Sequence, residues 1–373
     1  MKRIIFFCAL LAVLASAACH LKWRDGFNSG YAFEHYKTEF GKFYKSEQEN
    51  KIRELIFNQK LKRIHEINSN PKYTWKAAVN HLTDRIPSEV DAIRGYNREL
   101  AFHTHKFTSF KPSHVFLANL PAQVDWRAEG FTTPVKNQGG CGSCWAFSVA
   151  ATLETHMAIQ SKNKDVKTIV SPQELVDCIP NPHKCGGSGG CNGATQELGF
   201  DYIQNNGISL DSNYPYEARQ KLCRADPNLK VAKIESFVKL PENDYNALMT
   251  AVAVNGPIAI SVSAEEWEFY SEGVFNGDCG ATINHAVTLE GYGTDEEGND
   301  FWLVRNSWGE GWGENGYIRV AREKSAKDVQ CEVDRNPAVG SGCEGGPTEI
   351  TVCGKCGILA DSSYPTDIIF NKP

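Results

Sequence analysis

The sequence predicts an α+β protein in which helical segments precede strand-rich ones. Residues 42–70 contain neither Gly nor Pro and are rich in Glu, Lys, Gln and Leu, which favours a long helix. Apolar side chains recur at helical spacing in residues 145–157 and predict a second helix. Strand-like alternation then appears in residues 285–289 and 301–304.

The composition is that of a globular protein with one large domain or two ordinary ones. The chain has 373 residues, 41% of them hydrophobic and 11% aromatic. Its formal net charge is -6, and Lys and Arg are spread along the chain without forming a basic stripe. Nucleic acid is therefore not an expected partner.

The first 17 residues have the layout of a secretory signal peptide. Lys2 and Arg3 precede an apolar run at residues 4–14, and the small residues 15–17 follow. The run is about half the length of the roughly 20 residues that a transmembrane helix needs, so no membrane anchor is predicted. We expect a protein of the secretory pathway that ends in the lysosome or outside the cell.

Cysteine usage agrees with that route. The chain has 13 cysteines, and in an oxidising compartment most of them are expected to form disulfides. The sequence contains no Asn-x-Ser/Thr site for glycosylation, which argues against sugar-directed lysosomal sorting.

One face of the first predicted helix carries a recognisable register. Steps of three and four residues place these side chains on it: Glu49, Arg53, Phe57, Lys60, Ile64 and Asn68. Periodicity alone favours an ordinary amphipathic helix. The register, however, resembles the ERFNIN signature of cathepsin L-type propeptides, with Lys60 where that family has Asn.

A second element of the same propeptides follows. Ala78, Asn80, Leu82 and Asp84 resemble the Gly-x-Asn-x-Phe-x-Asp element, with Ala for Gly and Leu for Phe. The resemblance implies that residues 18–119 form an inhibitory prosegment, which is removed typically as the pH falls. The mature protein would begin near residues 119–121.

A Gly-rich loop runs into the second predicted helix at Cys144. A helix start carries partial positive charge, which favours the nucleophilic thiolate over the thiol. With Cys141 the residue also reads as Cys-x-x-Cys, but neither a redox fold pattern nor a second zinc-binding pair accompanies it. The segment Cys-Gly-Ser-Cys-Trp resembles the nucleophile motif of the papain family of cysteine proteases.

That resemblance implies the remaining catalytic groups. His285 lies 141 residues after Cys144 and matches the family's general base and acid. Asn306 would orient the imidazole, and Trp308 would shield their contact. Gln138 and the backbone N–H of Cys144 would stabilise the oxyanion that forms when a peptide carbonyl is attacked.

Disulfides also follow from the resemblance. It pairs Cys141 with Cys191, Cys178 with Cys223, and Cys279 with Cys356. The four cysteines left over are Cys185, Cys331, Cys343 and Cys353. They allow three pairings, and the sequence does not choose among them.

An insertion at residues 323–355 is the largest departure from the family. Its Gly, Pro and charged residues predict a disulfide-pinned surface loop with no core of its own. The loop is either neutral decoration or a segment that shapes substrate access or recruits a partner. An exopeptidase would need a block at one end of the cleft, and the insertion is the candidate for it.

Substrate-binding residues are implied as well. They are Gly193, Ala194, Ser261, Ala286, Trp308 and Asp361. Ala194 replaces a Gly of the family, which adds a methyl group beside the substrate backbone. The Asp361 carboxylate at the base of the second subsite predicts that Arg or Lys is accepted there beside aliphatic and aromatic groups. The alternative is a solvated Asp361 that faces outward.

The resemblance implies the papain-like two-lobed fold, with a helical left lobe, a β-barrel-like right lobe and an α-helical propeptide domain. The peptidase domain would span residues 120–373. We expect a monomeric cysteine endopeptidase that needs no cofactor or metal. Expected partners are protein or peptide substrates, its own propeptide and cystatin-like inhibitors. The alternatives are an exopeptidase and a catalytically silent relative that acts as a binding protein.

Overall fold

The computed structural model describes residues 30–95, 108–109, 120–165 and 167–371. The predicted signal peptide and most of the predicted processing junction lie outside these residues. The helices of the described part are α1 (Phe33–Glu39), α2 (Glu47–Ser69), α3 (Pro87–Arg94), α4 (Cys144–Ser161), α5 (Pro172–Cys178), α6 (Gln196–Asn206) and α7 (Tyr245–Val254). No helix among the described residues is both long and apolar enough to cross a membrane.

Thirteen strands are described. They are β1 (Trp75–Ala77), β2 (Thr108–Ser109), β3 (Val124–Asp125), β4 (Ile208–Ser209), β5 (Lys230–Lys239), β6 (Ile258–Val262), β7 (Tyr270–Phe275), β8 (His285–Thr294), β9 (Asp300–Arg305), β10 (Tyr317–Ala321), β11 (Cys331–Asp334), β12 (Ile350–Cys353) and β13 (Ser362–Phe370). Most of them form one sheet in the order β1-β7-β10-β9-β8-β6-β13-β5-β2, and β11 pairs with β12 separately. We call residues 141–229 the helical half and residues 230–371 the β-rich half.

The long prosegment helix is present but starts later than predicted. It begins at Glu47 because the side chain of Ser46 caps it, accepting a hydrogen bond from the Glu49 backbone N–H at 3.1 Å. Phe57 and Ile64 on the predicted face are fully buried. The face with the ERFNIN-like register therefore packs inward.

The prosegment and the β-rich half share one apolar core. Phe57 and Trp75 of the prosegment lie in the same buried cluster as Trp267 and Tyr270. Strand β1 also adds to the sheet edge by antiparallel pairing with β7. Because burial of apolar surface contributes about 25 cal/mol per Å², this shared core stabilises the attachment of the prosegment.

Charged contacts surround that attachment. The basic prosegment residues Lys60, Arg63 and Arg94 pair with Glu268, Glu266 and Glu265, respectively. These three carboxylates all belong to the short 3₁₀ helix Glu265–Phe269. Lys60, the departure from the family register, thus bonds directly to the β-rich half.

The insertion is more ordered than the sequence predicts. It contains the β11–β12 hairpin, and Val352 and Ile350 pack with Ile283 and Ala360 in a small cluster. The insertion was predicted as a disulfide-pinned surface loop with no core of its own, and the hairpin adds secondary structure that this prediction did not include. Strands of four residues are too short to give a clear alternation signal.

Candidate active site

Cys144 stands at the first position of helix α4, directly after the cap residue Ser143. The helix is buried through most of its length, which fixes the orientation of its first turn. The Cys144 thiol donates a hydrogen bond to the Arg94 carbonyl oxygen at 2.9 Å, and the Ala286 N–H approaches the sulfur at 3.4 Å. The predicted nucleophile therefore faces a peptide bond of the prosegment.

His285 begins strand β8 and lies between the prosegment and Asn306. Its Nε2 is 2.8 Å from Asn306 Oδ1, and its Nδ1 is 3.1 Å from the Arg94 carbonyl oxygen. The Trp308 ring stacks on the imidazole at a centroid distance of 4.9 Å and is 1% exposed. The ring excludes water from the His–Asn contact, which strengthens it.

Gln138 is held rigidly beside the same prosegment turn. Its Nε2 donates to the Ile93 carbonyl oxygen at 2.7 Å and to the Cys141 carbonyl oxygen at 2.9 Å. Ser307 donates to its Oε1 at 2.6 Å. Because both ends of the amide are bonded, the donor aimed at Ile93 is preorganised.

Burial decides the protonation state of the pair. It raises the pKa of the Cys144 thiol to about 12 and lowers the pKa of His285 to about 4. The rise for the thiol corresponds to about 4 kcal/mol, more than the roughly 2 kcal/mol that a helix N-terminus supplies. Burial in the closed site therefore disfavours both the expected thiolate of Cys144 and the imidazolium of His285.

Glycines allow the prosegment to lie this close. A Cβ on Gly95 would stand 2.4 Å from the Cys144 sulfur. A Cβ on Gly193 would stand 1.8 Å from the Gly95 carbonyl oxygen, and one on Gly142 would stand 2.9 Å from the Ala92 carbonyl oxygen. The backbone of residues 92–95 therefore lies in direct contact with the Cys144 sulfur and with the backbone at Gly142 and Gly193.

Residues predicted for the second subsite converge from three elements. Ser261 on β6 is paired with Ala286 on β8, and its N–H donates to the Asp361 carbonyl oxygen at 3.0 Å. The Ser261 hydroxyl also donates to Asp361 Oδ2 at 2.6 Å. Ala194 is fully buried in the same apolar cluster as Ala286.

Asp361 does not face solvent, so the outward alternative is wrong. Its side chain is 15% exposed and pairs with Lys239, which also binds Glu197 at 2.7 Å. Burial raises the pKa of Asp361, but Lys239 and Ser261 outweigh it and the net pKa is lowered. Burial, and then the charge of Asp361, raise the pKa of Glu197.

Sequence reasoning missed Lys239 and Glu197. Lys239 is the last residue of β5, 122 positions from Asp361, and Glu197 lies in the first turn of helix α6. Their local contexts resemble ordinary solvated charges. Only the pairing of β5 with β13, which sets Lys239 opposite Ser363, brings the three charges together.

The described residues contain five disulfides. Three join the cysteines that the resemblance pairs: Cys141–Cys191, Cys178–Cys223 and Cys279–Cys356. The four cysteines whose pairing the sequence left open form the disulfides Cys185–Cys343 and Cys331–Cys353. Cys144 is the free cysteine of the described part of the chain.

Comparison with known proteins agrees with this geometry. Residues 120–341 match the papain family cysteine protease description, and residues 33–90 match the cathepsin propeptide inhibitor domain. The chain belongs to the papain family. It is a cysteine endopeptidase made as a zymogen, and the propeptide domain is its intramolecular inhibitor. The exopeptidase and silent-relative alternatives are not favoured.

Relatives within the papain family cover nearly the whole chain. Fruit bromelain from Ananas comosus is 36% identical over 89% of this chain and 91% of its own length. Cathepsin L from Sarcophaga peregrina is 35% identical over 89% and 91%, respectively. Digestive procathepsin L2 from Tenebrio molitor has a TM-score of 0.74 at 34% identity, covering 90% of this chain and 98% of that one. The papain-like proenzyme fold is thereby confirmed.

Proposed function

We propose that Cys144 is the nucleophile, His285 the general base and acid, Asn306 the residue that orients it, and Gln138 an oxyanion donor. One observation carries the assignment. Two consecutive prosegment carbonyls are bonded by three of these residues. Gln138 bonds the carbonyl oxygen of Ile93, and both Cys144 and His285 bond that of Arg94. A nucleophile, a base and an amide donor that converge on peptide carbonyls form the arrangement that acyl transfer requires.

Removal of the prosegment would restore water to the pair and reverse the effect of burial on both pKa values. His285 would then take the proton of Cys144, and the thiolate would attack the substrate carbonyl carbon. The oxyanion would be held by Gln138 and the Cys144 N–H. Transfer of the His285 proton to the leaving amine gives a thioester, which water hydrolyses with His285 again as base.

Active-site titration tests this assignment. Acid-processed protein is treated with an epoxysuccinyl thiol trap, and the modified residue is mapped. We expect stoichiometric labelling of Cys144, loss of labelling in His285→Ala, and protection in the unprocessed precursor. Absent labelling in folded, processed protein, or labelling of another residue, would overturn the assignment.

For the second subsite we infer that Arg or Lys is accepted beside aliphatic and aromatic side chains. The support is the Asp361 carboxylate, although Lys239 already neutralises part of its charge. Fluorogenic dipeptides with Phe or Arg at that position measure the preference. An unchanged ratio of kcat/KM values in Asp361→Ala would refute it.

The mature domain would begin near residues 119–121, after a prosegment of residues 18–119. Two contacts support this boundary: Tyr292 donates to the Pro121 carbonyl oxygen at 2.8 Å, and strand β3 pairs with β8. Both hold the chain to the β-rich half from residue 121 onward. N-terminal sequencing of the acid-processed protein tests the boundary.

We further propose that the enzyme passes through the secretory pathway to the lysosome or the exterior, acts as a monomer on protein or peptide substrates, and is inhibited by cystatin-like proteins. Residues 92–95 lie in backbone contact with the cleft, so a cystatin-like inhibitor could insert a segment of its backbone in the same place. Fractionation of the host cells and titration with such an inhibitor test these points.

A further inference from the structure

The insertion hairpin is anchored at its base and extends toward the other half of the molecule. Cys331 and Cys353 face each other across β11 and β12 and are joined by a disulfide. Residues 335–349 connect the two strands. We call residues 341–343 of this connection the strap.

The strap links the two halves through consecutive residues. The Ser341 N–H donates to the Ile283 carbonyl oxygen of the β-rich half at 2.9 Å. The next residue, Gly342, accepts from the Gly186 N–H of the helical half at 3.1 Å. Cys343 then forms the disulfide with Cys185.

This disulfide differs from the others in what it joins. Cys141–Cys191 and Cys178–Cys223 lie within the helical half, and Cys279–Cys356 and Cys331–Cys353 lie within the β-rich half. Among the described residues, Cys185–Cys343 is the covalent connection between an insertion of the β-rich half and the helical half. It fixes the separation of the two halves at that point.

The strap lies at the edge of the cleft. Gly193 lies between the carbonyl oxygens of Gly95 and Gly186. A Cβ added to Gly193 would stand 1.8 Å from the Gly95 oxygen and 2.2 Å from the Gly186 oxygen. Gly95 follows Arg94, whose carbonyl oxygen accepts from Cys144, and the Gly186 N–H donates to the strap. On the opposite side, Ile283 precedes His285 by two residues. The strap therefore bonds to Gly186, which packs against Gly193, and Gly193 in turn packs against the prosegment residue Gly95.

Its length limits the opening. Three residues span at most about 10 Å when fully extended. The contact between the strap and the helical half joins Gly342 to Gly186, and neither residue has a side chain that could fold away. A Cβ on Gly342 would stand 2.7 Å from the Pro337 carbonyl oxygen, so the strap backbone is itself tightly packed. A bulky substrate side chain that meets this wall has little room.

We propose that the strap forms the outer wall of the third subsite and makes the enzyme selective for peptides with a small side chain at the third position before the scissile bond. The inference rests on the proposed catalytic assignment. Ile283 lies two residues before His285, Ala360 directly precedes Asp361, and both pack with Val352 of the hairpin, which places the strap beyond the second subsite. The Cys185–Cys343 disulfide is what holds the wall against both halves.

The test compares two fluorogenic tripeptides that differ only in Ala or Trp at the third position. We expect the intact processed enzyme to favour Ala by about tenfold in kcat/KM, the lower end of what side-chain exclusion achieves. In C185S/C343S the ratio should fall to about two or less. Rates are normalised to the Cys144 titre, so partly folded protein does not affect the ratio.

The matched control is C331S/C353S, which removes a disulfide of the same hairpin that does not join the halves. The C331S/C353S enzyme should keep at least half of the Ala-to-Trp ratio of kcat/KM that the intact enzyme shows. Equal rates for both peptides in the intact enzyme, or equal loss in both double variants, would overturn the proposal. A protein that fails to label at Cys144 refutes the catalytic assignment instead, so the two failures are distinguishable.

Discussion

The Cys144 thiol donates to the Arg94 carbonyl oxygen at 2.9 Å, so the sulfur of the closed enzyme bonds to the oxygen of a peptide group that belongs to its own precursor. The donated proton is the one that must leave before the sulfur can attack. Inhibition in the precursor thus combines steric exclusion of substrate with suppression of the thiolate. The following predictions separate these contributions.

Gly95→Ala should weaken the closed state. Gly95 has φ +85, and its new Cβ would meet the Cys144 sulfur at 2.4 Å. The left-handed conformation costs roughly 1–2 kcal/mol for a non-Gly residue, and the clash with the sulfur adds to this cost, so the precursor should label with a thiol trap more than about tenfold faster. Gly41→Ala is the control and should accelerate labelling less, because Gly41 shares the left-handed conformation with φ +60 but has nothing within 4 Å of an added Cβ. Equal acceleration in both variants would mean that the contact with sulfur is irrelevant.

Acidification should loosen the closed state through His285. Burial lowers its pKa to about 4, below the ordinary value of 6.5, so protonation is penalised while the prosegment covers it. The closed state is therefore unaffected above about pH 6.5 and loses up to about 3 kcal/mol as the pH falls toward 4. Hydrogen exchange of the β1–β7 pair in a Cys144→Ala precursor measures this. Adding His285→Gln should reduce the pH dependence in that window and leave the share of His81, whose pKa burial also lowers to about 4, and identical profiles would contradict the prediction.

Asp84→Asn should destabilise the prosegment strongly. The Asp84 carboxylate is 6% exposed and accepts from Tyr36 and Lys42 at 2.7 Å and from Tyr44 at 2.9 Å. Loss of a buried charge partner typically costs about 3–5 kcal/mol. Thermal unfolding of the precursor should show a clearly lower Tm for the prosegment transition. Glu47→Gln, which breaks a surface pair with Lys51, should change the Tm by less than a degree or two.

Lys60 and Glu268 should be energetically coupled across the prosegment interface. Their charged atoms are 2.5 Å apart, and the side chains are only 11% and 14% exposed. A double-mutant cycle with Lys60→Met and Glu268→Gln, read from precursor labelling rates, should give a coupling of about 1–2 kcal/mol. The exposed pair Lys62–Glu66 should give close to zero. Strict additivity of the Lys60 and Glu268 effects would refute a direct contribution.

Preference for Arg at the second subsite should rise with pH. The pKa of Glu197 is raised by burial and by Asp361, so at low pH the cluster holds Lys239 and Asp361 with no net charge. As the pH rises through the pKa of Glu197, the cluster gains one negative charge. The Arg-to-Phe ratio of kcat/KM should then increase by about tenfold, the equivalent of 1.4 kcal/mol. Glu197→Gln should give a ratio that does not vary with pH, and a pH-independent ratio in the unchanged enzyme would contradict the prediction.

The long prosegment helix and the helix that begins at Cys144 were predictable because their signals are local. A Gly- and Pro-free run, a cap residue and helical spacing act within a few residues of one another. The start of α2 was predicted five residues too early, at Lys42. The residues from Lys42 onward already have a helical composition, but the helix begins only after its cap residue Ser46. The β11 and β12 strands were missed because their pairing partner lies on the far side of a loop.

The sequence alone determined the family, the zymogen organisation and the residues that face the prosegment carbonyls, because the motifs around Cys144, His285 and Asn306 require particular side chains at fixed local positions. Only the tertiary structure decided the partners of Cys185 and Asp361 and the protonation state of the catalytic pair. Those properties depend on which distant elements pack together and how much water they exclude. Neither the packing of distant elements nor the exclusion of water leaves a periodic pattern or a fixed spacing in the sequence.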